Sequence, residues 1–145
     1  MSHVEPISSV RVRVNYSETD QMGVVYHANY VIWLDIARTE HLRQTGVTYA
    51  ELERQGIRLA VGRLQVRYIE PAKYDDEIVV RCWVRDAGSR RISFGYAVDH
   101  ADGRLLATAV TDMYVLDAAF RWTRLPAEVK AQLEPVKDPV RVVDR

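Results

Sequence analysis

Apolar and polar residues alternate between 8 and 14: Val10, Val12 and Val14 fall on one side, Arg11 and Arg13 on the other. That two-residue period predicts a half-buried strand. Over 28–44 the period lengthens. Tyr30, Trp33, Leu34, Ala37 and His41 form one stripe at helical spacing, with Val31, Ile36 and Leu42 widening it. Asp35, Arg38, Arg43 and Gln44 lie mostly off the stripe. Asn29 suits the N-cap and Gly46 the stop. So wide an apolar face predicts a helix that other structure wraps. A second, short helix is predicted over 48–55, ended by Gly56.

From 57 to 116 the chain reads as strands. Ile57, Leu59 and Val61 hold odd positions, whereas Leu64, Val66 and Tyr68 hold even ones. A phase slip at Gly62-Arg63 predicts a β-bulge, and Pro71 ends the run. Ile78, Val80, Cys82 and Val84 make the buried face of the next strand, and Ile92, Phe94, Tyr96 and Val98 that of the one after Ala87-Gly88-Ser89. Asp102-Gly103 is a hairpin signal. The last strand, 106–116, is apolar or small on both faces, which places it inside the sheet. A short helix is expected after Pro126, and 134–145, with Pro135 and Pro139, is expected to be a loose tail. The order is strand, long helix, short helix, then an antiparallel meander. That is an α+β layout in which one curved sheet wraps one helix.

The length of 145 residues bounds this to a single domain with one core, about 8–133. Equal numbers of Lys+Arg and Asp+Glu, 20 each, give no bulk attraction for nucleic acid. No secretory signal is read at the N-terminus, and the longest uncharged stretch, 21–34, is too short to cross a bilayer. The single cysteine, Cys82, cannot form an internal disulfide, and cytoplasmic residence is the expectation.

Chemistry concentrates in the loop between the first strand and the long helix. There Asp20 precedes Gly23 by three residues, and His27 stands at the start of the helix. A helix start offers unpaired backbone N–H groups to negative charge, and a loop carboxylate facing them supplies a base or nucleophile. Asp20 also has a plain reading as a turn residue bonding its own backbone, and Glu18 competes with it on spacing. His27 reads equally as a packing residue whose backbone N–H binds an oxyanion whatever its ring does. His3, His41 and His100 have no metal-site spacing, and no metal is expected. Cys82 lies mid-strand among valines and reads as core. Arg38 and Glu40 read as structural polar groups at the rim of the helix. Arg90 and Arg91 read either as a solvated hairpin end or as a phosphate clamp, with Lys73 a weaker candidate of the same kind.

The run Tyr16-Ser17-Glu18-Thr19-Asp20-Gln21-Met22-Gly23-Val24-Val25-Tyr26-His27-Ala28-Asn29-Tyr30, followed by Ala37-Arg38-Thr39-Glu40, resembles the hotdog-fold acyl-CoA thioesterases. The segment Tyr68-Ile69-Glu70-Pro71-Ala72-Lys73-Tyr74-Asp75-Asp76 is similar to the same family. The nearest branches are the 4-hydroxybenzoyl-CoA and the Tol–Pal-associated thioesterases. His27-Ala28-Asn29 resembles the second branch and argues against 4-hydroxybenzoyl-CoA itself as substrate. The resemblance implies a hotdog fold, a sheet rolled round a central helix, and homodimers or tetramers with sites at subunit interfaces. It implies hydrolysis of an acyl-CoA without a cofactor, with Asp20 as nucleophile or general base and the His27 N–H polarising the thioester carbonyl. Gly23, Tyr26, Asn29 and Tyr30 would then meet the substrate, and Lys73, Arg90 and Arg91 the CoA phosphates. A hydratase of the same fold and a non-catalytic acyl-CoA or acyl-carrier binding module remain as rivals.

Overall fold

The structure is a computed structural model, and it describes residues 6–142. The absence of a signal expected at the extreme N-terminus and the looseness expected of the last three tail residues therefore concern positions outside the described residues. Strand β1 (Ile7–Arg13) leads through a single 3-10 turn (Tyr16–Glu18) to helix α1 (Asn29–Gln44) and the short α2 (Tyr49–Arg54). Then come β2 (Arg58–Tyr68), β3 (Glu77–Ala87), β4 (Arg91–His100), β5 (Leu105–Leu116) and α3 (Ala127–Ala131). The five strands form one antiparallel sheet in the order β1-β3-β4-β5-β2. β5 is interior, as its apolar faces predict, although β4 is the middle strand.

The sheet curls around α1. Its inner face presents Ile78, Val80, Cys82 and Val84 from β3, Phe94 and Tyr96 from β4, and Ala109, Met113 and Val115 from β5. Against these pack Tyr30, Trp33, Leu34, Ala37 and Leu42 of α1. Curvature is helped by bulges, where one strand carries an extra residue and bends. One falls between Val61 and Arg63 in β2, where the hydrophobic phase slips, and another between Val84 and Asp86 in β3.

Four expectations need correction. Ala28, not Asn29, is the cap of α1, and Asn29 is the first helical residue, its side-chain amide donating to the Glu18 carbonyl at 2.9 Å. Arg38 is not at the rim. It is 6% exposed, and its guanidinium donates to Tyr49 Oη, Tyr96 Oη and Asp35. Val31 and Ile36, expected to widen the core stripe, are exposed together with Ile32. Finally, residues 135–142 are docked. Val136 N donates to the Val84 carbonyl, and Asp138 accepts from Trp83 Nε1 at 2.9 Å and pairs with Arg85. Val142 is buried on the outer face of the sheet with Trp83, Ala97 and Val110. Sparse apolar residues between prolines look disordered in sequence, yet each finds a place on an otherwise bare sheet face.

Candidate active site

The loop from 15 to 28 is a small folded unit. The chain leaves β1, makes its 3-10 turn, and then doubles back, with Thr19 and Val25 bridged antiparallel. Asp20 N donates to the Val24 carbonyl at 2.9 Å, and Gly23 N donates to the Asp20 carbonyl at 3.0 Å. Gly23 has φ +79°, a left-handed backbone that glycine adopts without a Cβ clash. Val25, buried, donates its N–H to the Ala72 carbonyl and ties the loop to the segment after β2.

Asp20 is half-buried at the tip of this unit. Its Oδ1 accepts from Met22 N at 2.9 Å, so the turn role holds. Oδ2 has no partner among the described residues. The turn bond therefore orients the carboxylate and leaves one oxygen available.

At the other end of the loop, α1 begins. Asn29 N is bonded to the Tyr26 carbonyl and Tyr30 N to the His27 carbonyl, but among the described residues nothing accepts from the N–H of His27 or Ala28. Unpaired amides at a helix N-terminus carry a partial positive charge. Tyr68 of β2 donates its hydroxyl to the His27 carbonyl at 2.8 Å, which fixes the plane of the peptide joining His27 and Ala28.

Asp20 and His27 line one cavity of about 310 Å³, with Met22, Val24, Tyr30, Tyr68 and Ile69 making most of its apolar wall. Tyr30 and Tyr68 meet edge to face at 5.1 Å, and Tyr30 Oη accepts from Ala72 N. Burial raises both phenols above their ordinary pKa of 10.0, in Tyr68 with a further push from Tyr30. They are neutral walls, not acids or bases near neutral pH. Tyr26 is exposed and lays its ring 4.5 Å from that of His27.

The remaining predicted residues stand apart. Asn29 turns its side chain to Glu18, and Gly23 serves the turn. Lys73 is exposed in the loop just beyond the cavity, its N–H held by Asp76. Arg90 is exposed at the start of β4, and Arg91 lies 3.8 Å from Asp86 and 3.9 Å from Asp112. Arg91 belongs to a larger polar cleft of about 670 Å³ between the outer sheet face and the tail, which shares no lining residue with the Asp20 cavity. Size does not mark the site here. The smaller cavity is the one that both Asp20 and His27 line. Sequence reasoning missed Tyr68 as part of the site, because its reach to His27 depends on where β2 ends. Among the described residues no group of three or more His, Cys, Asp or Glu is placed to hold a metal ion.

The family model of the thioesterase-like superfamily matches residues 14–133. A putative acyl-CoA thioesterase, YneP, of Bacillus subtilis is 32% identical over 77% of this chain and 80% of its own length. The acyl-CoA thioester hydrolase YbgC of Escherichia coli is 31% identical over 85% of this chain and 92% of its own. Among solved structures, a DHNA-CoA thioesterase from Staphylococcus aureus superposes with a TM-score of 0.78 at 32% identity, covering 81% of this chain and 80% of that one. A match across most of the chain, the loop and helix start included, carries the conclusion: this chain belongs to the thioesterase-like superfamily and has its hotdog fold.

Proposed function

We propose that this chain hydrolyses acyl-CoA thioesters to free acid and CoA at the Asp20 cavity. The observation that carries the site is one cavity lined by a carboxylate, one oxygen pinned and one unpartnered, and by His27, whose N–H at the helix start is unpaired among the described residues. The thioester carbonyl oxygen lies against the His27 N–H, with that of Ala28 beside it. These amides stabilise the negative charge that builds on oxygen as the carbonyl carbon becomes tetrahedral. Asp20 Oδ2 either takes a proton from the water that adds to the carbon or adds to it directly, forming a mixed anhydride that water then cleaves. In both routes the C–S bond breaks, CoA leaves as thiolate, and solvent supplies its proton. Thioesters are already activated, so positioning and charge stabilisation suffice without a cofactor.

The apolar wall of Met22, Val24, Tyr30, Tyr68 and Ile69 receives the acyl group. Lys73, in the loop beside the cavity, is assigned to the CoA phosphates, and Arg90 and Arg91, at the far end of the sheet from the Asp20 cavity, would meet them from a neighbouring subunit. The protein works as a homo-oligomer in the cytoplasm, where Cys82 stays a free, buried thiol.

Asp20→Asn tests the reading. The amide oxygen still accepts from Met22 N, so the turn survives, but no carboxylate remains. The expected result is a fall in kcat of roughly 10²–10⁴ with acyl-CoA binding and Tm near the parent. Hydrolysis within a few-fold of the parent overturns the assignment.

A further inference from the structure

The carboxylate and the helix amides are brought together by two short stretches of loop, at 20 and at 27–28, and Glu18 fastens both. Its carbonyl accepts from Tyr26 N at 2.8 Å and from Asn29 Nδ2 at 2.9 Å. Both oxygens of its carboxylate are bonded: Oε1 accepts from Asn15 N at 2.7 Å and Oε2 from Trp33 Nε1 at 3.0 Å. Trp33 is 2% exposed, one turn inside α1, so this bond runs from the loop into the core. Glu18 is not among the residues lining the cavity.

We propose that Glu18 is a positioning residue. It locks the base of the Asp20 loop to Trp33 and thereby sets the separation between Asp20 Oδ2 and the His27 and Ala28 amides. The proposal rests on the reading of Asp20 as the reacting carboxylate. Its physical basis is economy of contacts. The loop between 19 and 25 is tied across itself and to Ala72 by backbone bonds, and its side-chain bonds, Asp20 Oδ1 accepting from Met22 N and the Thr19 hydroxyl donating to the Tyr16 carbonyl, reach no further than the loop and its 3-10 turn. Thus the Glu18 side chain is the link from the loop to the indole of α1, while Asn29 supplies the link to the helix's first turn. A displacement of about 1 Å between reacting groups can cost about 10² in rate, so a small slackening at Glu18 is felt at the carbonyl.

Three variants test it: Glu18→Gln, Trp33→Phe and the double change, each beside Asp20→Asn in one thiol-release assay with a single acyl-CoA. A glutamine has one acceptor oxygen and turns its NH₂ toward one of the two N–H groups that the carboxylate received, so one bond is lost at constant size. Trp33→Phe removes the same core link from the opposite side. The expected result is a fall in kcat of about tenfold for each single variant, with KM changed less than twofold, because a 1 Å misplacement costs up to ~10². The double variant falls by less than the product of the two single falls, since both changes act on one chain of bonds running from Asn15 through residue 18 to residue 33. A residue that only stabilised the fold would lower Tm additively and leave kcat of the folded fraction unchanged. Parental kcat in both single variants, with Asp20→Asn inactive, overturns the positioning role and leaves the Asp20 reading intact. Glu18→Gln as inactive as Asp20→Asn overturns it too, by making Glu18 a reacting carboxylate. Activity retained in Asp20→Asn overturns both readings together. If Glu18→Gln fails to fold, Trp33→Phe alone decides: a kcat fall at unchanged KM supports the link, and parental kcat rejects it.

Discussion

His41 sits on the buried stripe of α1 at 2% exposure, its Nδ1 2.8 Å from Ser8 Oγ and its ring edge-on to Phe94. Burial lowers its pKa below the ordinary 6.5, since the interior disfavours the charged imidazolium. The unfolded chain then binds the proton first as pH falls. Stability is fully present above 6.5 and is lost as pH drops through that value toward the depressed folded pKa. His41→Gln, which keeps a polar partner for Ser8 but does not titrate, should show a shallower fall of Tm between pH 7 and pH 5 than the parent. Equal slopes would assign the acid sensitivity to other groups. Residues of this kind are the least legible in a sequence. His41 was readable on the stripe by spacing, but Arg38 was not, because nothing in spacing reveals that Tyr49 and Tyr96 await its guanidinium. Asp20 was legible as a loop carboxylate. Its available Oδ2 was not, since that follows from which oxygen the Met22 N–H takes.

Elements were legible wherever period and punctuation agreed. Gly46 and Gly56 stop their helices at φ +89° and +76°, and Thr48 caps α2 with its hydroxyl on Glu51 N. The bulge in β2 was visible because the apolar phase changes from odd to even across Gly62. The structure adds the reason for glycine there: a Cβ at Gly62 would collide with the ring of Tyr114 from β5. Tyr114 is itself held against Trp122 at 4.7 Å, so it has little room to yield. Gly62→Ala should therefore destabilise the protein by about 1–3 kcal/mol, the usual cost of overpacking, read from a denaturant midpoint at unchanged slope. Adding Tyr114→Ala should recover part of that loss. If Gly62→Ala is neutral, the ring moves freely and the bulge does not need glycine. The docked tail was not legible, because three separated contacts, at Val136, Asp138 and Val142, have no period to detect.

The scale of the whole molecule explains the apolar residues that the fold leaves outside. β2 is an edge strand, paired within the sheet on one side only, to β5. Beside that edge Val61 and Leu64 are 52% and 40% exposed, and Val31, Ile32 and Ile36 of α1 continue the patch. An exposed apolar strip next to an edge strand is a feature of association surfaces, and the partner expected here is a second copy. Both Val61 and Leu64 point inward toward α1, opposite Met113 and Thr111 of β5, because the bulge lies between them. In antiparallel pairing, facing residues share a side of the sheet. In the expected dimer, a two-fold axis at the bulge would set Val61 of one subunit against Leu64 of the other, and the reverse, with the two α1 helices alongside. Such an isologous contact would close after two copies and join the sheets into one. The expected species is at least a dimer by analytical ultracentrifugation, burying on the order of 800 Å² per subunit. Val61→Arg places a charge on both sides of the axis at once. It should shift the protein to monomer, lower Tm, and lower thioester hydrolysis, because Tyr68, which holds the His27 peptide, belongs to the same edge strand. A parent protein that is monomeric and fully active at nanomolar concentration would remove the shared edge from this account. A dimeric Val61→Arg variant would move the interface elsewhere.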